Sequence, residues 1–144
     1  MTTARSKIFL LVLLAALAAV AGCDWFRDSP ETRAKFYLET LVREPDNRER
    51  LDELATPAGS ESVLAGLGTQ LAVDYLRARQ RQGMALDFAV TAAQRTDPSH
   101  RSVRVAAVTY PSGVRTDRDS RVRFEVTLEL SEQNGWRVTR VSAE

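Results

Sequence analysis

The sequence predicts an α+β fold, with N-terminal helices packed on a curved antiparallel sheet of about four strands. Apolar residues recur at helical spacing from residue 34 to residue 76, and from about residue 84 the period changes to the alternation of β-strands. Helices that precede a series of antiparallel strands are typical of α+β domains, in which the helices cover one face of the sheet. We therefore expect residues 29–144 to form a single domain.

The first predicted helix begins at Ser29-Pro30-Glu31, which supplies a capping side chain, a proline at the first helical position and an acid in the first turn. Pro45 ends this helix, because proline has no backbone N–H to continue it. Phe36 falls near the edge of its buried stripe. The residues expected in that stripe are Ala34, Tyr37, Leu38, Leu41 and Val42.

Two further helices are expected before the sheet. Asp46 can cap a short helix that stops before Pro57, and Ser60 begins a longer one. Gly66 and Gly68 each cost the longer helix about 1 kcal/mol relative to alanine, which a close approach of another element would explain. The buried stripe expected for the longer helix is Val63, Leu64, Leu67, Leu71, Tyr75 and Leu76.

Four strands follow. Residues 84–95 and the valine-rich residues 102–110 are joined by a turn at Asp97-Pro98-Ser99-His100. Residues 121–130 alternate most clearly, which predicts one buried and one exposed face. Asn134-Gly135 is a strong hairpin signal. In the last strand Trp136, Val138 and Arg140 are expected to alternate with Arg137, Thr139 and Val141.

A short apolar leader opens the chain. Arg5 and Lys7 precede an apolar run over residues 8–21, which is shorter than the roughly 20 residues that a membrane-spanning helix needs. The run ends in Val20-Ala21-Gly22-Cys23, which resembles the lipobox of bacterial lipoproteins. The resemblance implies cleavage before Cys23 and acylation of this residue. We expect a signal peptide at 1–22 and a lipidated tether at 23–28; the alternatives are an uncleaved anchor or an ordinary signal peptide followed by a stray cysteine.

The residue after the lipobox bears on the destination of the protein. Asp24 resembles the residue that retains lipoproteins in the inner membrane of enteric-type bacteria, so the periplasmic side of the inner membrane is favoured over other sites. The acyl chains on Cys23 would then make the lipid bilayer the first partner of the chain, since two or three chains anchor a protein stably.

Composition excludes several other classes of partner. The whole chain has a formal charge of +1, and loss of Arg5 and Lys7 with the leader brings it to −1, so no overall attraction to nucleic acid is expected. A single histidine and a lipidated cysteine cannot make a zinc site. No phosphate-binding loop or nucleophile elbow appears, and we expect neither a metal nor a cofactor.

The order of elements and the final hairpin, with Asn134-Gly135-Trp136-Arg137-Val138, resemble small nuclear transport factor 2-like (SnoaL-like) domains, in particular those of a group of uncharacterised bacterial lipoproteins. The resemblance covers about residues 29–142 and implies a cone-shaped fold. Enzymes of this fold usually carry an Asp-His or Tyr-Asp pair inside the cone. Since fold alone decides no activity, candidate residues must be judged individually.

The candidate pocket residues are Asp87 and Tyr75. Asp87 alternates with apolar neighbours and is the one acid considered as a carboxylate inside the cone, whereas Tyr75 joins the expected buried stripe of the third helix. His100 lies in a turn and is expected to be solvated. No catalytic set emerges, so the sequence favours a non-catalytic binding or assembly module in the envelope.

Two alternatives remain open. One is a small enzyme that uses the cone pocket with Asp87 as its base. The other is a structural accessory that forms a homodimer through its sheet face, with Arg121, Thr127 and Glu129 at the interface.

Overall fold

The computed structural model describes residues 29–111 and 121–144. The leader, the lipobox residues Val20, Ala21, Gly22 and Cys23, the sorting residue Asp24 and the loop at 112–120 lie outside these ranges. The described elements, in chain order, are α1 (Pro30–Arg43), α2 (Arg48–Leu54), α3 (Pro57–Ala65), α4 (Leu67–Arg81), β1 (Ala85–Asp97), β2 (His100–Tyr110), β3 (Val122–Glu132) and β4 (Trp136–Ala143).

The architecture is α+β, as predicted. The four strands form one antiparallel sheet in the order β1-β2-β3-β4, so each strand pairs with its neighbours in the chain. The helices pack on one face of this sheet, which we call the inner face. Because successive side chains of a strand point to opposite faces, every second side chain lies on the other face, which we call the outer face. Val103, Val105, Leu128 and Leu130 line the inner face and have no solvent-exposed surface.

Helix α1 forms as the sequence predicts. The Ser29 hydroxyl accepts a 3.2 Å hydrogen bond from the Thr32 backbone N–H, and Pro30 is the first helical residue. The whole expected stripe is buried, and Phe36, at its edge, is 46% exposed. The helical spacing of apolar residues predicts the buried side of α1 correctly because α1 packs on the core cluster with a single apolar side.

The third predicted helix is wrong in its extent and in its buried side. The structure contains two helices in place of one: α3 begins at Pro57, capped by Thr56, and α4 begins after a break at Gly66. Asn47, not Asp46, caps α2. Val63 and Leu76 of the expected stripe are buried, but Leu64, Leu67 and Leu71 leave the core because the break changes the direction of the chain. The buried residues of α4 are Thr69, Ala72, Val73 and Leu76.

The close approach that the glycines suggested occurs at Gly59 instead of at Gly66 or Gly68. A Cβ on Gly59 would lie 2.1 Å from the carbonyl oxygen of Val138, whereas one on Gly68 would make only an ordinary 3.4 Å contact. The same carbonyl accepts hydrogen bonds from the backbone N–H and hydroxyl of Thr56. Helix α3 is therefore held directly against β4.

The last strand departs from the strict alternation expected for it. A bulge lies where the register shifts between Glu129 and Leu130 of β3. As a result Val138 pairs with Leu130 and Val141 pairs with Leu128, and both valines are buried on the inner face. An extra residue in one strand reverses the phase of every side chain beyond it, which simple alternation cannot anticipate.

The two turns of the sheet follow the sequence. A two-residue turn at Pro98 and Ser99 joins β1 to β2, and Gln133, Asn134 and Gly135 join β3 to β4. The φ angles of Asn134 and Gly135 are 56° and 102°, a left-handed conformation that asparagine and glycine tolerate best. Within residues 29–111 and 121–144, no helix is long and apolar enough to cross a bilayer.

Candidate functional site

Asp87 and Tyr75 are not brought together. Asp87 is exposed on the outer face of β1, between the buried side chains of Leu86 and Phe88. Tyr75 is half-buried on α4, on the opposite side of the sheet, and its ring makes an edge contact with Phe124 at 5.4 Å between centroids. The sheet therefore separates the two residues considered as a pocket pair.

Asp87 has a different tyrosine as its partner. The Tyr110 hydroxyl donates a 2.7 Å hydrogen bond to Oδ2 of Asp87, and the guanidinium carbon of Arg121 lies 5.6 Å from the centroid of the Tyr110 ring. Together with Val108 these side chains line a shallow depression of about 250 Å³ on the outer face. Asp87 is open to solvent although Tyr110 is buried, so the depression is unlike the enclosed sites in which most ligands are held.

His100 belongs to the β1–β2 turn. Its Nδ1 lies 2.7 Å from Oδ2 of Asp97, and both side chains are about half exposed. The hydrogen bond with His100, followed by that from the Ser99 backbone N–H, lowers the pKa of Asp97 below its ordinary value. This geometry stabilises a turn. Among the described residues no three His, Cys, Asp or Glu side chains cluster closely enough to hold a metal ion.

The most prominent exposed feature of the described residues is a group of three leucine side chains. Leu64, Leu67 and Leu71 are 72%, 71% and 61% exposed, respectively. Leu67 and Leu71 are one turn apart on α4, and the Gln70 side-chain amide donates to the Leu64 carbonyl, which keeps the end of α3 beside this turn. We call these three side chains the leucine ridge. Grouped exposed apolar side chains of this size are typical of interaction sites.

A cleft of about 390 Å³ lies beside the leucine ridge, and we call it the helix cleft. All four helices contribute to its lining. Its apolar wall consists of buried or partly buried side chains, namely Leu41, Leu51, Val63 and Val73, and Leu64 belongs to both the cleft and the ridge. The volume is within the range of about 300–1,000 Å³ that is usual for ligand sites.

Tyr37 supplies a polar group to this apolar cleft. The residue is 1% exposed, and burial is the main reason why its pKa is raised above the ordinary value for tyrosine. The charge of Asp52 raises this pKa further, and a hydrogen bond with Ser60 opposes the rise. Tyr37 is therefore a neutral hydroxyl at physiological pH, suited to hydrogen bonding.

Arg77 fixes one side of the cleft. Its Nε and Nη2 donate hydrogen bonds of 3.0 and 2.7 Å to the carbonyl of Leu41, and Nη1 lies 3.7 Å from Asp74. The guanidinium thus satisfies a carbonyl in the last turn of α1, a position where cations are favourable. This bond ties α4 to α1 and gives the cleft a defined shape.

Sequence reasoning assigned the leucine ridge to the core. A signal against that assignment was present: Thr69, Ala72, Val73 and Leu76 form a second stripe at helical spacing on the same helix. The smaller residues of this stripe let α4 approach its neighbours closely, and they are the ones that the fold buries. Because the core buries only one of the two apolar stripes of α4, the side chains of the other stripe stay exposed.

Comparisons with known proteins give little on function. No family model matches the chain. No curated protein matches it at a significant level. Among solved structures, an IcmL-like type IV secretion system protein from Legionella pneumophila is similar to it, with 12% sequence identity and a TM-score of 0.46, over 79% of this chain and 88% of that one. Similarity at this level carries no information on ligand or partner.

Proposed function

We propose that this chain is a lipid-anchored protein of the bacterial envelope that works as a non-catalytic binding or assembly module, and that it binds its partner on the helix layer. The observation that carries the proposal is the leucine ridge, because three large apolar side chains more than 60% exposed remain outside an otherwise complete core. The adjoining helix cleft supplies an apolar wall and the Tyr37 hydroxyl.

The sequence supports the anchor. The Val20-Ala21-Gly22-Cys23 segment follows the apolar run, and only five residues separate Cys23 from Ser29, the cap of α1. A chain of six residue steps spans at most about 20 Å. With Cys23 acylated, the domain works close to the membrane surface, on the periplasmic side in a bacterium with two membranes.

The outer-face pair of Asp87 and Tyr110 has no catalytic role in this proposal. The carboxylate of Asp87 is exposed, and its hydrogen bond to Tyr110 joins neighbouring strands. Groups that transfer protons in enzymes usually work in sites from which water is excluded. Substitution of Asp87 should therefore leave partner binding unchanged.

The anchor is tested by a Cys23→Ser precursor. This variant should stay unprocessed and take up no labelled palmitate, whereas the wild-type chain should be processed and labelled. Normal processing of the variant would contradict the lipoprotein assignment.

The binding surface is tested with the lipidated chain captured from membranes after mild crosslinking. A Leu67→Ser/Leu71→Ser variant should lose the crosslinked species that the wild type retains, since the apolar contact area is removed. An Arg104→Ser/Arg140→Ser variant introduces the same two serines at exposed positions on the outer face of the sheet and serves as the control. Equal loss of crosslinked species in both variants would argue against the helix layer as the binding surface.

A further inference from the structure

Strand β1 is an open edge of the sheet. It pairs only with β2, and every one of its residues from Ala89 to Asp97 is exposed. The run from Phe88 to Gln94 has no charged residue and no proline, which are two of the usual means of protecting an edge against pairing, and its single irregularity is a bulge between Val90 and Ala92. An edge of this kind is a template for another strand.

One end of the edge is already occupied. Arg43 of α1 donates a 2.9 Å hydrogen bond to the Leu86 carbonyl, and its guanidinium lies 5.6 Å from the centroid of the Phe88 ring. This bond shows that the backbone groups of Leu86 point to the open edge. Since alternate residues of a strand share an edge, those of Phe88 and Val90 point there as well.

A groove runs between this edge and α1, and we call it the edge groove. Its volume is about 250 Å³, and its lining residues are Glu31, Thr32, Lys35, Phe36, Glu39 and Val90. The exposed parts of Phe36 and Val90 give it an apolar wall. The ionic lining contains two carboxylates and one ammonium, so the groove suits a cationic side chain with a long apolar stem.

Strand β1 itself carries such a side chain. Arg95 is exposed, and its side chain makes no hydrogen bond or ion pair with the described residues. Ala93 is paired with Val103, a core residue, so Ala93 and Arg95 both point to the inner face, on the side of α1. Within its own subunit Arg95 lies beyond the edge groove, toward the β1–β2 turn.

We propose that two copies of this chain pair antiparallel along β1, with Val90 of each copy opposite Ala93 of the other, so that Arg95 of each copy enters the edge groove of its partner. In this register Phe88 lies opposite Arg95. Because the Arg43 guanidinium already covers the Phe88 ring, the Arg95 side chain extends past Ala93 of its own strand toward Glu39 in the groove. The small side chain of Ala93 leaves room in the groove for the stem of Arg95. The two sheets then form one continuous sheet of eight strands.

The bulge in β1 selects this register. The register shift between Val90 and Ala92 reverses the faces of the strand at Thr91. The hydroxyl of Thr91 donates to the backbone carbonyl of Arg104 and to the carboxylate of Glu125, which is on the outer face. Ala92 is paired with Arg104, whose side chain is exposed on the same face, so Thr91 and Ala92 both belong to the outer face. When the two-fold axis of the dimer passes between Thr91 and Ala92, the bulges of the two strands lie opposite each other. Inner-face side chains of one copy then lie opposite inner-face side chains of the other along the whole strand.

This proposal goes beyond the binding module proposed above and does not depend on the lipid anchor or the leucine ridge. It also differs from dimerisation through the sheet face, because Arg121, Thr127 and Glu129 stay outside the interface. Apart from the groove at α1, a continuous sheet leaves the helix layers free.

The register is tested by coexpressing two differently tagged full-length chains, one with Val90→Cys and one with Ala93→Cys, under oxidising conditions. Directly opposite residues that share hydrogen bonds have Cα atoms about 5.5 Å apart, within disulfide range. The mixed pair should therefore form a disulfide-linked dimer. Val90→Cys alone should not, because its two copies are offset by three residues, about 10 Å along the strand.

The wild-type chain serves as the control for any dimer formed through Cys23. Two outcomes would overturn the proposal: no mixed dimer above the wild-type background, or crosslinking of a Thr127→Cys chain to itself in place of the mixed pair. The second outcome would assign the contact to the sheet face.

The groove contact is tested by sedimentation of the detergent-solubilised chain. Arg95→Glu places a carboxylate against Glu39 of the partner and should weaken the dimer by at least about tenfold, since opposed like charges are strongly unfavourable at an interface. Arg104→Glu makes the same charge change on the outer face and should have no effect. Glu39→Lys combined with Arg95→Glu should restore association. A monomeric wild type, or equal effects of the two arginine variants, would overturn the assignment.

Discussion

Gly59 touches β4 so closely that the position of its missing Cβ is 2.1 Å from the carbonyl oxygen of Val138. The contact is supported by Thr56, whose backbone N–H donates to the same oxygen at 2.9 Å and whose hydroxyl accepts from the Gly59 N–H at 3.1 Å. The start of α3 is thus fitted to the backbone of β4, and α3 in turn carries Leu64 to the cleft.

Gly59→Ala should therefore be strongly destabilising. The added methyl group cannot be accommodated without moving α3 from β4, and overpacking of this kind costs about 1–3 kcal/mol or more. Gly68→Ala is the matched control, because its Cβ would make an ordinary 3.4 Å contact and Gly68 lies in the first turn of α4, where alanine is also a good helix former. Urea unfolding should show a loss for the first variant and no loss for the second. Equal stability of both variants would show that α3 does not pack against β4 as described.

Leucines of the same helix should differ widely in their contribution to stability. Leu76 is completely buried, so Leu76→Ala should lower the free energy of unfolding by about 2–5 kcal/mol. Leu71 is 61% exposed, so Leu71→Ala should change it by only about 0.5 kcal/mol. The comparison is made by chemical unfolding of the two variants. A large loss of stability in Leu71→Ala would show that the leucine ridge belongs to the core, which would contradict the proposed binding surface.

The difference between these leucines explains how far the sequence predicts this fold. The period of apolar residues identifies α1 and β3 because each has a single apolar face that meets the core. It fails for α4, whose two stripes compete. The fold buries the stripe with Ala72 and Val73, and a choice between two stripes depends on the volumes of the neighbouring elements, which are distant in sequence.

The candidate site shows the same limit. The position of Asp87 among apolar residues identifies it as a candidate pocket residue, but the sequence does not determine which face of β1 its side chain occupies. The pairing with Tyr110 follows from the register of β1 against β2, where Asp87 lies opposite Val108. The helix cleft joins residues from four helices and has no local signal at all. The anchor at Cys23 is predicted entirely by local sequence.

Tyr37 should give the protein a pH-dependent stability in the alkaline range. Burial, with the charge of Asp52, raises the pKa of Tyr37 in the folded protein above the ordinary value for tyrosine. The stabilisation is complete below the pKa of the unfolded chain and is lost as the pH rises through the pKa of the folded state. Thermal unfolding should therefore show a steeper loss of stability above about pH 10 in the wild type than in Tyr37→Phe. Tyr75 and Tyr110 remain in both proteins, so identical profiles would contradict the assignment.

The β1–β2 turn should show the opposite pH behaviour on the acid side. The hydrogen bond with His100 holds the pKa of Asp97 below its usual value. The stabilisation is present above the pKa of the unfolded chain and is lost as the pH falls through the folded pKa. Carboxyl chemical shifts measured by NMR should give Asp97 a lower midpoint than an exposed aspartate, and His100→Ala should raise it. An unchanged midpoint in His100→Ala would show that the backbone N–H of Ser99 is the main cause.

Arg77 should stabilise the helix layer through its contact with Leu41 more than through its charge. Two donors of one guanidinium reach the same carbonyl at 3.0 and 2.7 Å. Hydrogen bonds to charged groups contribute about 1.5–3 kcal/mol, and partial exposure of Arg77 favours the lower end, so Arg77→Met should lower the free energy of unfolding by about 1.5 kcal/mol. Arg81→Met removes a cation from the same last turns and should cost less than about 1 kcal/mol. Arg77→Lys keeps the charge but replaces the planar pair of donors by a single ammonium, and should recover only part of the loss. Full recovery with lysine would mean that the charge at the end of α1, rather than the paired hydrogen bonds to Leu41, joins α4 to α1.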